Sequence, residues 1–422
     1  MRVMLWFACM SALAVGLPAA AAGGGLSTGS TSPTSGKQRW VSRYDGPANG
    51  SDGARALGLS PDGSRVFVTG RSEDDYATIA YDADGVQLWV RRHGGIGNAL
   101  RVSPDGARVF VTGGRVTIAY DPATGARLWL SSFPGVQADA LAVSGNGSTV
   151  FVTGWSSGTT HDDYATVAYD AATGAQLWVQ RYDEAGAYEQ ATDIGVSPDG
   201  SKLFVTGSST VDFYATHWAT VAYDAATGAQ LWVKRFDGAD GESTPHALGV
   251  SPDGSRVFVT GEGGTIVYDA SGGGRLWGKA YPGANAWALA VAPDGAKVFV
   301  TGAGATVAYD AATGARLWTA PFEGPRHQSG GGNAIGVSPD GSKVFASGGT
   351  GSRDNSNYTT LAHDAATGAE LWVKNYDAPG KGLGGVFPHA LAVSPDGASV
   401  YVTGSSLESA SYDYATVAYS TG

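Results

Sequence analysis

The chain predicts an all-β fold: a single eight-bladed β-propeller of four-stranded blades, its ring closed by an N-terminal strand pairing with the C-terminal blade. Three observations lead there. One turn signature recurs eight times. Seven copies carry four strand-like runs. The last copy lacks its fourth run, and an unclaimed run of that type stands ahead of the first copy.

Composition sets the frame. Glycine supplies 64 of 422 residues, roughly twice its usual share, and aromatics make up 10%. Many turns and many strands with little long helix follow from such a mixture. The formal charge of -11 disfavours a nucleic-acid partner, which would need a basic face. Cys9 is the sole cysteine, so an internal disulfide is excluded.

Residues 1–22 read as a signal peptide: Arg2, an apolar run from Val3 to Leu17, then Pro18 and small residues to Ala22. The run is too short for a membrane span, and no second stretch reaches spanning length. Cleavage near Ala22 would leave no cysteine and, with Arg2 gone, a charge of about -12. Residues 23–36 are a flexible Gly/Ser/Thr leader. The expectation is a secreted or extracytoplasmic protein.

Residues 37–422 form the propeller. Ser-Pro-Asp-Gly stands at 60–63, 103–106, 197–200, 251–254, 338–341 and 394–397, with variants at 144–147 and 292–295. Each copy is followed by a run like Val66–Gly70, one like Tyr164–Asp170, and one like Ala175–Tyr182. With the segment before each Pro-Asp-Gly these give strands A to D, in the first unit near 55–60, 65–70, 76–82 and 86–92. Proline presets φ, aspartate bonds the backbone and glycine accepts a positive φ, so Pro-Asp-Gly fits a tight A–B turn. Asp-Ala-Ala-Thr-Gly does the same between C and D. Four strands in each 40–50-residue repeat is a propeller blade, and stacking lets blades bury faces that one blade alone exposes. The chain ends after strand C of the eighth unit. Gly36–Asp45 matches Gly174–Asp183, a strand D without a blade, and so predicts the closure.

The segment from Ala168 to Trp178 resembles the tryptophan-docking motif of the quinoprotein (PQQ-like) eight-bladed propellers. Full copies stand at 119–129, 222–232, 308–318 and 362–372, with imperfect ones at 80–89 and 267–277. The docking tryptophans would be Trp40, Trp89, Trp129, Trp178, Trp232, Trp277, Trp318 and Trp372, each packing on the next blade's backbone. The resemblance is to the non-enzymatic branch. Dehydrogenases of this family bind pyrroloquinoline quinone (PQQ) and calcium through a vicinal cysteine pair, a catalytic aspartate, a Glu/Asn calcium pair and a tryptophan platform. No residue set here can be carried over to such a site, so no cofactor and no metal are predicted. The family also includes the scaffold lipoprotein of the outer-membrane barrel-assembly machinery.

The A–B and C–D turns share one face and are uniform. The B–C and D–A connections share the other and run from short (Gly302 to Ala305) to long (Gly154 to Asp163, Arg235 to His246, Asn375 to His389). Variable loops on a rigid scaffold are where binding is built. Two groups lie there. Across blades three and four stand Trp155, His161, Asp162, Asp163, Asp183, Glu184, Tyr188, Glu189, Asp212, Phe213, Tyr214 and His217, aromatic plates among carboxylates that could hold a sugar or a cationic peptide. A channel-mouth column precedes each strand-A Ala-Leu pattern: Arg55, Asn98, Asp139, Thr192, His246, Trp287, Asn333 and His389. His246 and His389 lie three blades apart, too far to share a metal. The acidic run Asp237 to Glu242 lacks the spacing of a known calcium loop. The expected function is binding or scaffolding of a protein or glycan ligand by a monomer. The alternative is an enzyme on the same face, a cofactor-free lyase or hydrolase before a PQQ-dependent dehydrogenase; no catalytic residue is assigned.

Overall fold

The computed structural model describes residues 35–133, 135–157, 161–184, 187–211, 216–237, 243–283, 285–352, 355–377, 386–408 and 411–422. The signal-peptide segment and most of the leader lie outside them, as do Asp212, Phe213, Tyr214 and parts of the longest loops. Thirty-two strands pair into eight antiparallel four-stranded sheets, with no helix among the described residues. Seven sheets use four consecutive strands; in blade 1 these are Asp52–Leu59, Arg65–Ser72, Asp75–Asp82 and Gln87–Gly94. The eighth combines Phe387–Val393, Ser399–Glu408 and Ser411–Ser420 with Gln38–Tyr44 from the N-terminus. Trp40 pairs with Ala418 and Ser42 with Thr416, so the N-terminal strand closes the ring.

Each strand A packs against strand A of both neighbouring blades, which places it innermost. Strands B and C lie between blades and are buried on both faces, as in Val150–Gly154 and Asp163–Tyr169. Their runs are therefore continuously apolar rather than alternating. Strand D is the outer edge, where Leu177 is exposed while Trp178 turns inward.

The eight tryptophans repeat one contact. Each indole N–H donates to a carbonyl in the next blade's C–D turn, from Trp40 to Ala83 at 2.8 Å to Trp232 to Ala270 at 3.3 Å. A large ring is buried and its one polar atom is paired. In seven blades that turn is continuous, as where Gly174 N–H donates to the Asp170 carbonyl at 2.8 Å. At the closure it is assembled from both chain ends. Gly36 N–H donates to the Ser420 carbonyl at 3.0 Å, and Trp372 donates to Thr421 at 3.2 Å. Gly36 has φ of 69°, and a Cβ there would meet the Trp372 ring at 2.8 Å. Only glycine fits this position without displacing the indole.

Candidate functional site

The channel column owes its aim to β-bulges. In seven blades the A–B register skips one residue, and the skipped residues are Arg55, Asp139, Thr192, His246, Trp287, Asn333 and His389. Asn98 occupies the place in blade 2, immediately before its strand Ala99–Val102. A bulge re-aims a side chain, and all eight of these residues are half-buried. The glycine ending each Val-Thr-Gly run makes room for the bulge. At Gly154 a Cβ would stand 1.9 Å from the Gln137 carbonyl oxygen.

Part of the mouth is a connected polar arc. Arg55 Nη1 donates to Asn98 Oδ1 at 2.8 Å, and Asn98 Nδ2 donates to the Ala138 carbonyl at 2.9 Å and Asp139 Oδ1 at 3.3 Å. Burial lowers the Arg55 pKa from its usual value and the charge of Asp139 opposes this. Burial pushes Asp139 up to about 7, against the attraction of Arg55. Thr192 Oγ1 donates to the Pro245 carbonyl at 3.1 Å, and Asn333 Nδ2 to the Pro388 carbonyl at 3.3 Å. Two charges of the inner strands were missed by sequence reasoning. Arg101 stands where the other seven blades have glycine or alanine, and Asp193 where the others have alanine. Burial lowers the Arg101 pKa and Asp193 offsets that. Asp193 accepts the Leu248 N–H at 2.7 Å, binding blade 4 to blade 5. The interruption of the repeat was the available signal.

The junction of blades 3 and 4 brings together His161, Asp163, Tyr188 and Glu189 with Asp183 and Glu184. His161 and Asp163 stand at the start of strand C of blade 3, Asp183 and Glu184 follow its strand D, and Tyr188 and Glu189 open strand A of blade 4. The His161 ring meets Tyr188 edge-on at 4.5 Å, and Tyr188 is 49% exposed. Glu189 is fully buried. Its Oε1 accepts the Glu184 N–H at 2.6 Å, and burial pushes its pKa up to about 8. Burial, then the neighbouring Asp183, raises Asp163, while Arg181 at 3.7 Å lowers it. Carboxylate oxygens of Asp163, Asp183 and Glu189 lie within 4.8 Å of one another. Glu184 pairs with Arg235, which also donates to Tyr182 Oη at 3.1 Å. These arginines carry no repeat-breaking signal, because Arg is common at that place in strand D.

The remaining candidates are more dispersed. Trp155 lies half-buried on strand B, opposite Tyr164 in the register, and Asp162 is half-buried opposite Ser157. His217 belongs to strand C of blade 4 and pairs with Asp237 at 2.9 Å. A cavity of about 460 Å³ opens instead on the uniform turn face, lined by Ser144, Gly145, Asn146, Pro198 and Asp199 among others. Gly145 replaces the proline present in the other seven A–B turns. Elsewhere that proline packs on the next blade's turn glycine, as Pro61 does at Gly106. The lost ring leaves the gap.

The residues present do not fit a PQQ site. The cysteine pair has no counterpart, the mouth offers one tryptophan, Trp287, and its Arg55 and Asp139 already answer each other.

A family model described as outer membrane protein assembly factor BamB matches residues 93–215, 217–349 and 283–416. No curated protein matches the chain. Similar solved structures include the C-terminal WD40 domain of Sif2, at 12% identity and TM-score 0.65, covering 92% of this chain and 99% of that one. Chaetomium thermophilum Sqt1 bound to the N-terminus of ribosomal protein L10 aligns at 14% identity and TM-score 0.66, over 91% and 100%. The quinohemoprotein alcohol dehydrogenase of Comamonas testosteroni aligns at 15% identity and TM-score 0.63, over 92% and 76%. Likeness at these identities concerns the fold alone.

Proposed function

The chain belongs to the family of PQQ-like propeller repeats, and from that premise we propose that it is an exported, monomeric binding or scaffold module. It takes a protein or carbohydrate ligand on its B–C/D–A loop face. The observation that carries this reading is the contrast between the two faces. The turn face repeats one hydrogen-bonded motif, in which the Ser197 hydroxyl donates to Asp199 and Asp199 in turn accepts from Ser201. The loop face differs at every blade and presents Tyr188, backed by His161, beside Asp183. An exposed aromatic plate next to carboxylates suits a sugar ring or a cationic side chain.

Binding is favoured over catalysis by the burial of Glu189. A carboxyl with a raised pKa is a candidate acid, but this one is fully buried beneath Glu184 and Ser209. It cannot touch a substrate as it stands. Export rests on the N-terminal segment of the sequence. A peptide as one ligand class is consistent with the Sqt1 structure, in which a propeller holds a protein N-terminus.

The test is a glycan and peptide array probed with the wild-type protein and with a Trp155→Ala/Tyr188→Ala double variant. Ligands retained by the wild type and lost by the double variant are expected. Equal binding by both forms would reject the blade 3–4 site.

A further inference from the structure

Aligning the blades in sequence picks out three loop-face positions at each junction: the residue before the aromatic of strand C, the residue after the aromatic of strand D, and the residue three before the channel bulge of the next blade. Only two junctions carry carboxylates at all three. Between blades 3 and 4 they are Asp163, Asp183 and Glu189. Between blades 8 and 1 they are Asp413, Asp45 and Asp52. In each set, carboxylate oxygens lie within 4.8 Å of one another. Between blades 4 and 5 the same positions hold His217, Asp237 and Ser243, and the histidine pairs with the aspartate.

A second observation separates these sets from ordinary surface acid. Each contains a carboxylate more than nine-tenths buried with an oxygen that no donor meets. Glu189 is fully buried, and Oε2 has no hydrogen-bond partner while Oε1 takes the Glu184 N–H. Asp52 is 2% exposed, and Oδ1 has no partner while Oδ2 takes the Gly46 N–H at 2.8 Å. A buried acceptor left unmet costs about 1–3 kcal/mol, more when charged. Two such costs at equivalent places indicate a missing positive partner. The nearby guanidinium groups leave these oxygens unmet: Arg235 pairs with Glu184, Arg92 with Asp75 at 3.3 Å and Glu73 at 3.7 Å, and Arg181 reaches Asp163 at 3.7 Å but not Glu189 Oε2.

We propose that each junction binds one calcium ion, held by Asp163, Asp183 and Glu189 in the first and by Asp45, Asp52 and Asp413 in the second. Hard carboxylate oxygens select an alkaline-earth ion over softer metals. Oxygens spread over this distance fit the coordination shell of calcium, with bonds of about 2.3–2.6 Å, better than the tighter shell of magnesium. The second ion joins the closing strand, through Asp45, to strand C of blade 8 and strand A of blade 1. It is a clip on the ring closure, and the first ion is the same device beneath Tyr188.

The test is calorimetric calcium titration of the chelator-treated mature protein, with melting midpoints taken in calcium, magnesium and chelator. The wild type should bind two calcium ions and melt at least about 3 °C higher in ten-millimolar calcium, with a smaller response to magnesium. Glu189→Gln and Asp52→Asn should each bind one ion, and the double variant none. Circular dichroism in chelator identifies any variant that has not folded, and Asp183→Asn, at an exposed position, then serves in place of Glu189→Gln. No binding, or unchanged stoichiometry in folded variants, overturns the proposal. A single wild-type ion removed by one variant alone keeps that junction and overturns the other.

Discussion

His389 and His246 sit on the channel bulges and lose proton affinity there. Burial pushes both down to about 4 from the usual 6.5, and for His389 the Arg55 cation adds to the effect. Between these values the folded chain binds fewer protons than the unfolded chain. This share of stability is lost as pH falls through the window and is fully present above about 6.5. Asp139 acts in the opposite sense. Its carboxyl is raised to about 7 from 3.8, so its contribution is fully present below about pH 4 and is lost as pH rises toward 7. Calorimetric melting at about pH 4.5 and pH 7 should therefore show a smaller midpoint difference for His389→Asn than for the wild type, and a larger one for Asp139→Asn. Identical differences in all three proteins would remove the channel from the account of acid stability.

At the scale of elements, the governing feature is the bulge in strand A and the glycine facing it in strand B. Gly154→Ala would drive a Cβ into the Gln137 carbonyl at 1.9 Å, with Ala138 Cα at 3.1 Å behind it. Backbone cannot yield as a side-chain tip can, so a loss of about 2–3 kcal/mol or more is expected in denaturant unfolding. Gly349→Ala, also in a strand B but with nothing within 4 Å of its Cβ position, should stay within about 0.5 kcal/mol of the wild type. Similar losses at both sites would mean that strand B does not need glycine for the bulge. Strand order and turns were legible because Pro-Asp-Gly, Ala-Thr-Gly or a close variant of each punctuates the blades. The bulges were not: one extra residue leaves the hydrophobic pattern of Ala-Leu-Gly-Leu unchanged. The positions of the channel column were legible all the same, because its variable residues precede a constant pattern. Arg101 and Asp193 escaped notice as single substitutions within that pattern. The Asp45–Asp52–Asp413 group was hidden more deeply, since its members come from opposite ends of the chain and meet only once the ring is closed.

For the whole molecule, closure sets everything else. A closed ring leaves no blade interface uncovered, limits the exposed strand edges to the outer rim, and assigns turns and loops to opposite faces. It depends on an N-terminal strand, Gln38–Tyr44, that fills the outer position of a blade built by the C-terminus. Gly36 and Thr421 complete the last docking turn from the two ends. The loop face, its acidic junctions and the exposed Tyr188 are all positioned by that latch.

The most direct measurement probes the closure with a pair of introduced cysteines. With Cys9 replaced by serine, Ser42→Cys and Thr416→Cys place two thiols on residues that are paired across the closing strands. Mild oxidation followed by intact-mass analysis should show one intramolecular disulfide, a loss of about two mass units, within a monomer that melts higher than its reduced form. Thiols that stay free in the folded protein, or that link separate chains, would contradict closure by the N-terminal strand.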